Sequence, residues 1–177
     1  MPGVCDPLSA LIVQNSGFST AFVSGFAVSG TLLGRPDVGY LTQTEMAEVA
    51  QRVCASVPDL NLVVVSGDSH NGWAFDLPQD GRPAGVEFGG HSVSSPGIES
   101  STVGTDPSRI ARDILARNKQ ELRWVDTSNR GYMHLSLTPK AATNEWVFMD
   151  TVKDLSLNTK PGHKMLVRPG RKVLEQA

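Results

Sequence analysis

The residues best suited to chemistry stand together in Gly67-Asp68-Ser69-His70-Asn71, directly after the apolar run of residues 61–66. A glycine straight after a strand permits a sharp turn. Asp68 and His70, two residues apart, then project from the strand's end, where a carboxylate oxygen and an imidazole nitrogen can both reach one metal ion. Hard oxygen suits Ca²⁺ or Fe³⁺, and imidazole suits a transition metal. Asn71 adds an amide for substrate or for the ligands themselves. The pattern is short, and a histidine after a strand serves equally well as a hydrogen-bonded turn residue. Among the other histidines, His91 lies in Gly89-Gly90-His91-Ser92, a flexible loop near the turn that is not read as a ligand. His134 falls on the outward phase of an alternating strand, and His163 in a polar, solvent-exposed turn. Asp126 and Arg130 are spaced to form an ion pair that pins a hairpin.

The elements that would carry these groups follow from pattern. Residues 61–66 form a β-branched run without alternation, which predicts a strand buried on both faces. Upstream, Asp6-Pro7 is an N-cap with proline at the first helical position. Leu8, Leu11 and Ile12 then mark one helical face, and Gly17 ends the helix. Residues 20–24 read as a short buried strand, followed by a loop loosened by Gly25 and Gly30. Thr42-Gln43-Thr44-Glu45 is a capping box that opens a helix with Met46, Val49, Ala50 and Val53 on one face. Downstream, Asp106-Pro107 caps a helix with Ile110, Ala111, Ile114 and Leu115 inward and its arginines outward. Residues 132–138 alternate, Pro139 turns the chain, and residues 145–152 return as the hairpin partner. Strands and helices interleaved at these lengths predict an α/β fold.

Composition narrows the function classes. The chain has 177 residues, a formal net charge of −2, 40% hydrophobic and 19% charged residues, which suits a globular protein with a real core. No Lys/Arg cluster interleaves with aromatics, so a nucleic-acid partner is not expected. No apolar run approaches a membrane span. The first residues lack a basic segment followed by an apolar stretch, and the two cysteines, Cys5 and Cys54, suggest reduced thiols; a cytoplasmic protein is expected.

Two sets of residues carry family resemblances. Asp6-Pro7-Leu8-Ser9-Ala10, Phe22-Val23-Ser24-Gly25, Leu33-Gly34-Arg35-Pro36-Asp37-Val38-Gly39 and Thr44-Glu45-Met46 resemble the opening of the isocitrate lyase/phosphoenolpyruvate mutase superfamily over about residues 3–57. That resemblance implies the first units of a β/α barrel, Mg²⁺, and Ser24 and Gly25 touching a substrate carboxylate or phosphonate at a strand's end. The superfamily's Asp-x-Asp metal motif does not occur here. Gly67-Asp68-Ser69-His70-Asn71-Gly72-Trp73, Ser92-Val93-Ser94-Ser95-Pro96-Gly97, Trp124-Val125-Asp126-Thr127-Ser128-Asn129-Arg130-Gly131-Tyr132 and Glu145-Trp146-Val147-Phe148-Met149-Asp150 resemble the end of PhoD-like (alkaline phosphatase D) phosphatases. This second resemblance implies the last strands of a metallophosphoesterase sandwich hydrolysing phosphate esters at a centre of iron and calcium. Asp68 and His70 would be its late metal ligands, with His70 also catalytic and Asn71 a catalytic neighbour.

The expectation is therefore a fusion: a partial β/α-barrel opening over 1–57 and a phosphatase-like α/β segment over 58–177. Strand 61–66 is expected to continue the sheet of the first segment. The early phosphatase ligands do not precede Asp68, so the centre is expected to be incomplete and the chain weakly active or inactive alone. Apolar surface left uncovered would favour self-association.

Overall fold

A computed structural model of the chain describes residues 1–57, 59–102 and 104–177. The chain divides into two compact units, Met1–Leu60 and Asn61–Ala177.

In the first unit, strand β1 (Gly3–Val4) leads into helix α1 (Pro7–Asn15), strand β2 (Phe22–Val23), helix α2 (Gly25–Leu33) and helix α3 (Gln43–Ser56). Asp6 caps α1 by accepting from the Ser9 N–H at 2.7 Å, and Thr42 and Glu45 form the reciprocal box that starts α3. β1 and β2 pair in parallel through the α1 crossover. Val4, Ala10, Val28, Val49, Val53 and Val57 make the core. Three expectations fail in this unit. Leu8, Leu11 and Ile12 are exposed, because α1 turns Ala10 and the half-buried Val13 inward instead. The strand expected over 20–24 is two residues long, with Phe22 53% exposed rather than buried. The segment containing Gly25 and Gly30 is a helix, not a loop. Its Val28 is wholly buried in the core, and α2 stops at Gly34 in the left-handed region, φ 62°.

The second unit is a sandwich of two four-stranded sheets. One holds β3 (Leu62–Ser66), β4 (Gly72–Gln79), β5 (Arg82–Gly89) and β6 (Leu122–Asp126) in the order β3-β5-β4-β6. The other holds β7 (Gly131–Thr138), β8 (Ala141–Met149), β9 (Thr159–Val167) and β10 (Glu175–Gln176) in the order β10-β9-β8-β7. Helix α4 (Pro107–Arg117), capped by Asp106, packs on β6 through Ile110. Ala74, Val86 and Phe88 from the first sheet meet Trp146, Phe148, Met165 and Val167 from the second in one core. Trp146 is wholly enclosed and donates its indole N–H to the Gly89 carbonyl at 2.8 Å, which ties β8 to β5.

Strand β3 departs from expectation in two ways. It pairs in parallel with β5 inside the second unit, not with the β1–β2 sheet. It is also an edge strand with Val65 54% exposed, so its unbroken apolar run is not buried on both faces. Among the described residues, the β1–β2 sheet holds two strands. His134 is exposed on β7, as its phase predicts, with Met133 and Leu135 packed inward. His163 lies within β9 rather than in a turn, its ring stacked on Trp124 at 4.5 Å and 8°.

Candidate functional site

The turn between β3 and β4 is held in shape from within. Asp68 and His70 both occupy the left-handed region, φ 68° and 59°, where short polar side chains are tolerated better than branched ones. The Ser69 hydroxyl accepts from the Trp73 indole at 2.6 Å, and the Asn71 amide donates to the Ser69 carbonyl at 2.5 Å. Asn71 is 3% exposed, and its Oδ1 accepts from the Ile98 N–H at 3.3 Å. Both ends of that amide are committed, so Asn71 braces the turn.

His70 is fixed by a partner from outside the turn. Its Nδ1 lies 2.9 Å from the Pro96 carbonyl, which can only accept, so Nδ1 carries the proton and Nε2 carries the lone pair. A metal-ligating histidine takes the same arrangement, one ring N–H held by a carbonyl and the other nitrogen free to coordinate. Asp68 is exposed. Among the described residues, no group of three or more His, Cys, Asp or Glu side chains is disposed to hold a metal. By donor chemistry alone, the His70 Nε2 and the exposed Asp68 carboxylate would suit two places in a larger ligand set. Two donors alone would leave a cation mostly hydrated.

The loop that carries Pro96 is packed hard on this turn. A Cβ at Gly97 would overlap the Asn71 amide oxygen and stand 3.0 Å from the His70 carbonyl. Glu99 Oε1 accepts from the Gly97 N–H at 3.0 Å and pairs with the buried Arg130 guanidinium. Burial lowers the pKa of Arg130 from its ordinary value, yet a guanidinium remains charged. The ion pair expected between Asp126 and Arg130 does not form. Asp126 instead accepts from the backbone of Ser128 and Asn129 at 3.1 and 2.7 Å, and lies 3.4 Å from His91 Nε2. Burial raises the Asp126 pKa, but His91 and the Asn129 and Ser128 donors outweigh it and hold the carboxyl at about 2.

His91, expected in a flexible loop, is fully enclosed, with Phe148 edge-on at 5.2 Å and Trp124 at 6.2 Å. It is the residue that sequence reasoning undervalued. The glycines before it gave a loop signal, while the aromatic residues that bury it come from β6 and β8. In the first unit, Ser24 is the N-cap residue of α2 and Gly25 its first residue, with Asp37 so close that a Cβ at Gly25 would stand 2.7 Å from its carboxylate.

The family model for PhoD-like phosphatases matches residues 37–146, more than half of the chain. The chain belongs to the PhoD-like phosphatase family. A solved structure titled "Structure of PhoD" superposes with a TM-score of 0.54 at 17% identity, covering 75% of this chain and 25% of that one. That likeness places the fold of this PhoD-like chain. Curated relatives of another kind also match. The chloroplastic carboxyvinyl-carboxyphosphonate phosphorylmutase of Arabidopsis thaliana is 49% identical over 77 residues, 44% of this chain and 22% of that protein. The petal death protein of Dianthus caryophyllus is 53% identical over 77 residues, 44% of this chain and 24% of that protein. The 2,3-dimethylmalate lyase of Eubacterium barkeri is 35% identical over 78 residues, 43% of this chain and 26% of that protein. The PhoD-like chain thus spans about a quarter of the length of each of these relatives. Among the described residues, no helix is long and apolar enough to cross a membrane.

Proposed function

We propose that the second unit carries the late share of a metal-dependent phosphoric ester hydrolase centre, with Asp68 and His70 as two of its metal donors. The observation that supports this most directly is the hydrogen bond from His70 Nδ1 to the Pro96 carbonyl, because it leaves Nε2 as the basic nitrogen of a fixed ring. A calcium and iron centre would supply Lewis acidity toward a phosphoryl oxygen and toward water. The chain's own residues supply the rest: Asp68 a carboxylate oxygen, His70 a neutral imidazole, and Asn71 the brace that keeps the turn from opening. With two donors the chain alone is weakly active or inactive, and a partner chain would have to bring the others.

The test is Fe³⁺ and Ca²⁺ binding by calorimetry, alongside turnover of a chromogenic phosphodiester and a monoester. Binding that disappears in Asp68→Ala and in His70→Ala is the expected result. Binding that survives both substitutions would overturn the assignment.

A second reading is favoured by the 49–53% identity to the plant relatives. On that reading the first unit is the opening of a β/α barrel, and Ser24 and Gly25 contact a carboxylate or phosphonate with Mg²⁺. Mg²⁺-dependent binding of a small 2-oxo acid would favour it. Absence of both activities would leave a non-catalytic fusion.

A further inference from the structure

We propose that a closed ring of contacts, with the Arg130–Glu99 ion pair at its centre, positions His70 by holding the Pro96 carbonyl on Nδ1. The ring can be followed residue by residue. Pro96 accepts from His70, and the next residue, Gly97, lies against the Asn71 amide and the His70 carbonyl without room for a Cβ. Glu99 reaches back to the Gly97 N–H, which fixes the loop's approach. Arg130, 6% exposed, holds Glu99 on one side and the Asn129 carbonyl on the other. Asn129 is held in turn by Asp126, through backbone and side-chain bonds of 2.7 Å each. Asp126 lies 3.4 Å from His91, and the His91 ring fills the space over Gly72, so that any Cβ there would overlap it. Gly72 follows Asn71, and the ring closes on the turn where it began.

Two further backbone bonds stitch this ring to the sheets, from the Gly131 N–H to Ser92 and from the Met149 N–H to Arg130. Burial gives the Arg130 guanidinium its positioning power. A buried ion pair is a poor source of stability, because desolvation offsets most of the attraction, but it fixes geometry because either charge alone is costly. Glu99 and Arg130 are therefore positioning residues. Through the Pro96 loop they set which nitrogen of His70 is protonated. The functional meaning of this rests on the proposed ligand role of His70, whereas the positioning itself does not.

The experiment is long-range ¹⁵N–¹H NMR of the histidine rings in the metal-free, full-length chain at a fixed, mildly alkaline pH. Wild type is expected to show His70 mainly as the Nδ1–H tautomer. Glu99→Ala should move the tautomer ratio toward Nε2–H by roughly three- to tenfold, the effect of losing one hydrogen bond. Should Glu99→Ala not fold, Glu99→Gln serves instead: it keeps an acceptor for Gly97 and loses the charge, and a smaller shift in the same direction is expected. Arg130→Lys should fall between Glu99→Ala and wild type. Arg123→Gln, which breaks the separate Arg123–Asp76 pair, should leave His70 unmoved. An unchanged His70 ratio in folded Glu99 variants, or an equal shift in Arg123→Gln, would overturn the proposal. No metal or substrate enters the measurement, so a positive result without Fe³⁺ or Ca²⁺ binding would sink the hydrolase reading and leave this one standing.

Discussion

Asp126 carries a pH-dependent share of the second unit's stability. Burial opposes ionisation of the Asp126 carboxyl, but His91, Asn129 and Ser128 outweigh it and hold the group at about 2, below the ordinary 3.8. A depressed folded-state pKa contributes stability above the unfolded value and loses it as pH falls through the folded one. The window is therefore about pH 4 down to about pH 2, and the contribution is about 2 kcal/mol. Asp126→Asn should lower stability at pH 7 and flatten the acid limb of urea denaturation; an unchanged acid limb would show that Asp126 is not the linked group. Burial also lowers the pKa of His163. Its contribution has the same sign: present while the ring is neutral, and lost as acid protonates it against the Trp124 face.

At the scale of elements, the sandwich depends on Trp146 and on close approaches that exclude side chains. Trp146 joins the two sheets through its indole bond and the enclosed aromatic contacts with Phe88 and Trp124. Trp146→Ala should cost about 3–5 kcal/mol, measured by chemical denaturation; a loss below about 1 kcal/mol would mean that the sheets are held elsewhere. Gly162 sits where a Cβ would overlap the Trp146 carbonyl, next to the irregularity in the β8–β9 pairing. Gly162→Ala is expected to destabilise the unit by roughly 1–3 kcal/mol through forced backbone movement, a loss that melting curves would reveal. In the first unit, Thr42→Ala removes the side-chain half of the α3 capping box and should cost about 1 kcal/mol. Amide exchange should then rise at the start of α3 before it rises elsewhere.

At the scale of the molecule, the two cores share no residue among those described, and each is built from its own segment of chain. Residues 61–177 produced alone should therefore keep their dispersed amide spectrum and the Trp146 fluorescence; a collapsed spectrum would show that the division is not one of stability. The first unit exposes Leu8, Ile12, Phe18, Phe22, Phe26 and Val38. Apolar surface of that extent favours self-association, expected as a concentration-dependent elution volume for the whole chain and a smaller dependence for 61–177. A monodisperse monomer would count against it.

What the sequence determined by itself was mostly local. The caps at Asp6, Thr42 and Asp106, the alternation of β7 and the turn after Ser66 all depend on residues within a few positions of one another, and each is legible from type and spacing. The family resemblances were legible for the same reason, since they lie in contiguous motifs. Tertiary structure decided the rest. An unbroken β-branched run does not say which sheet a strand joins, and β3 lies at the edge of its sheet, paired in parallel with β5 on one side only. Spacing favoured Asp126 with Arg130, but Glu99, distant along the chain from Arg130, took the guanidinium. His91 looked mobile beside its glycines and is enclosed because aromatic residues from two other strands close over it. Burial and long-range pairing are properties of distant segments brought together, and no local pattern encodes the partner.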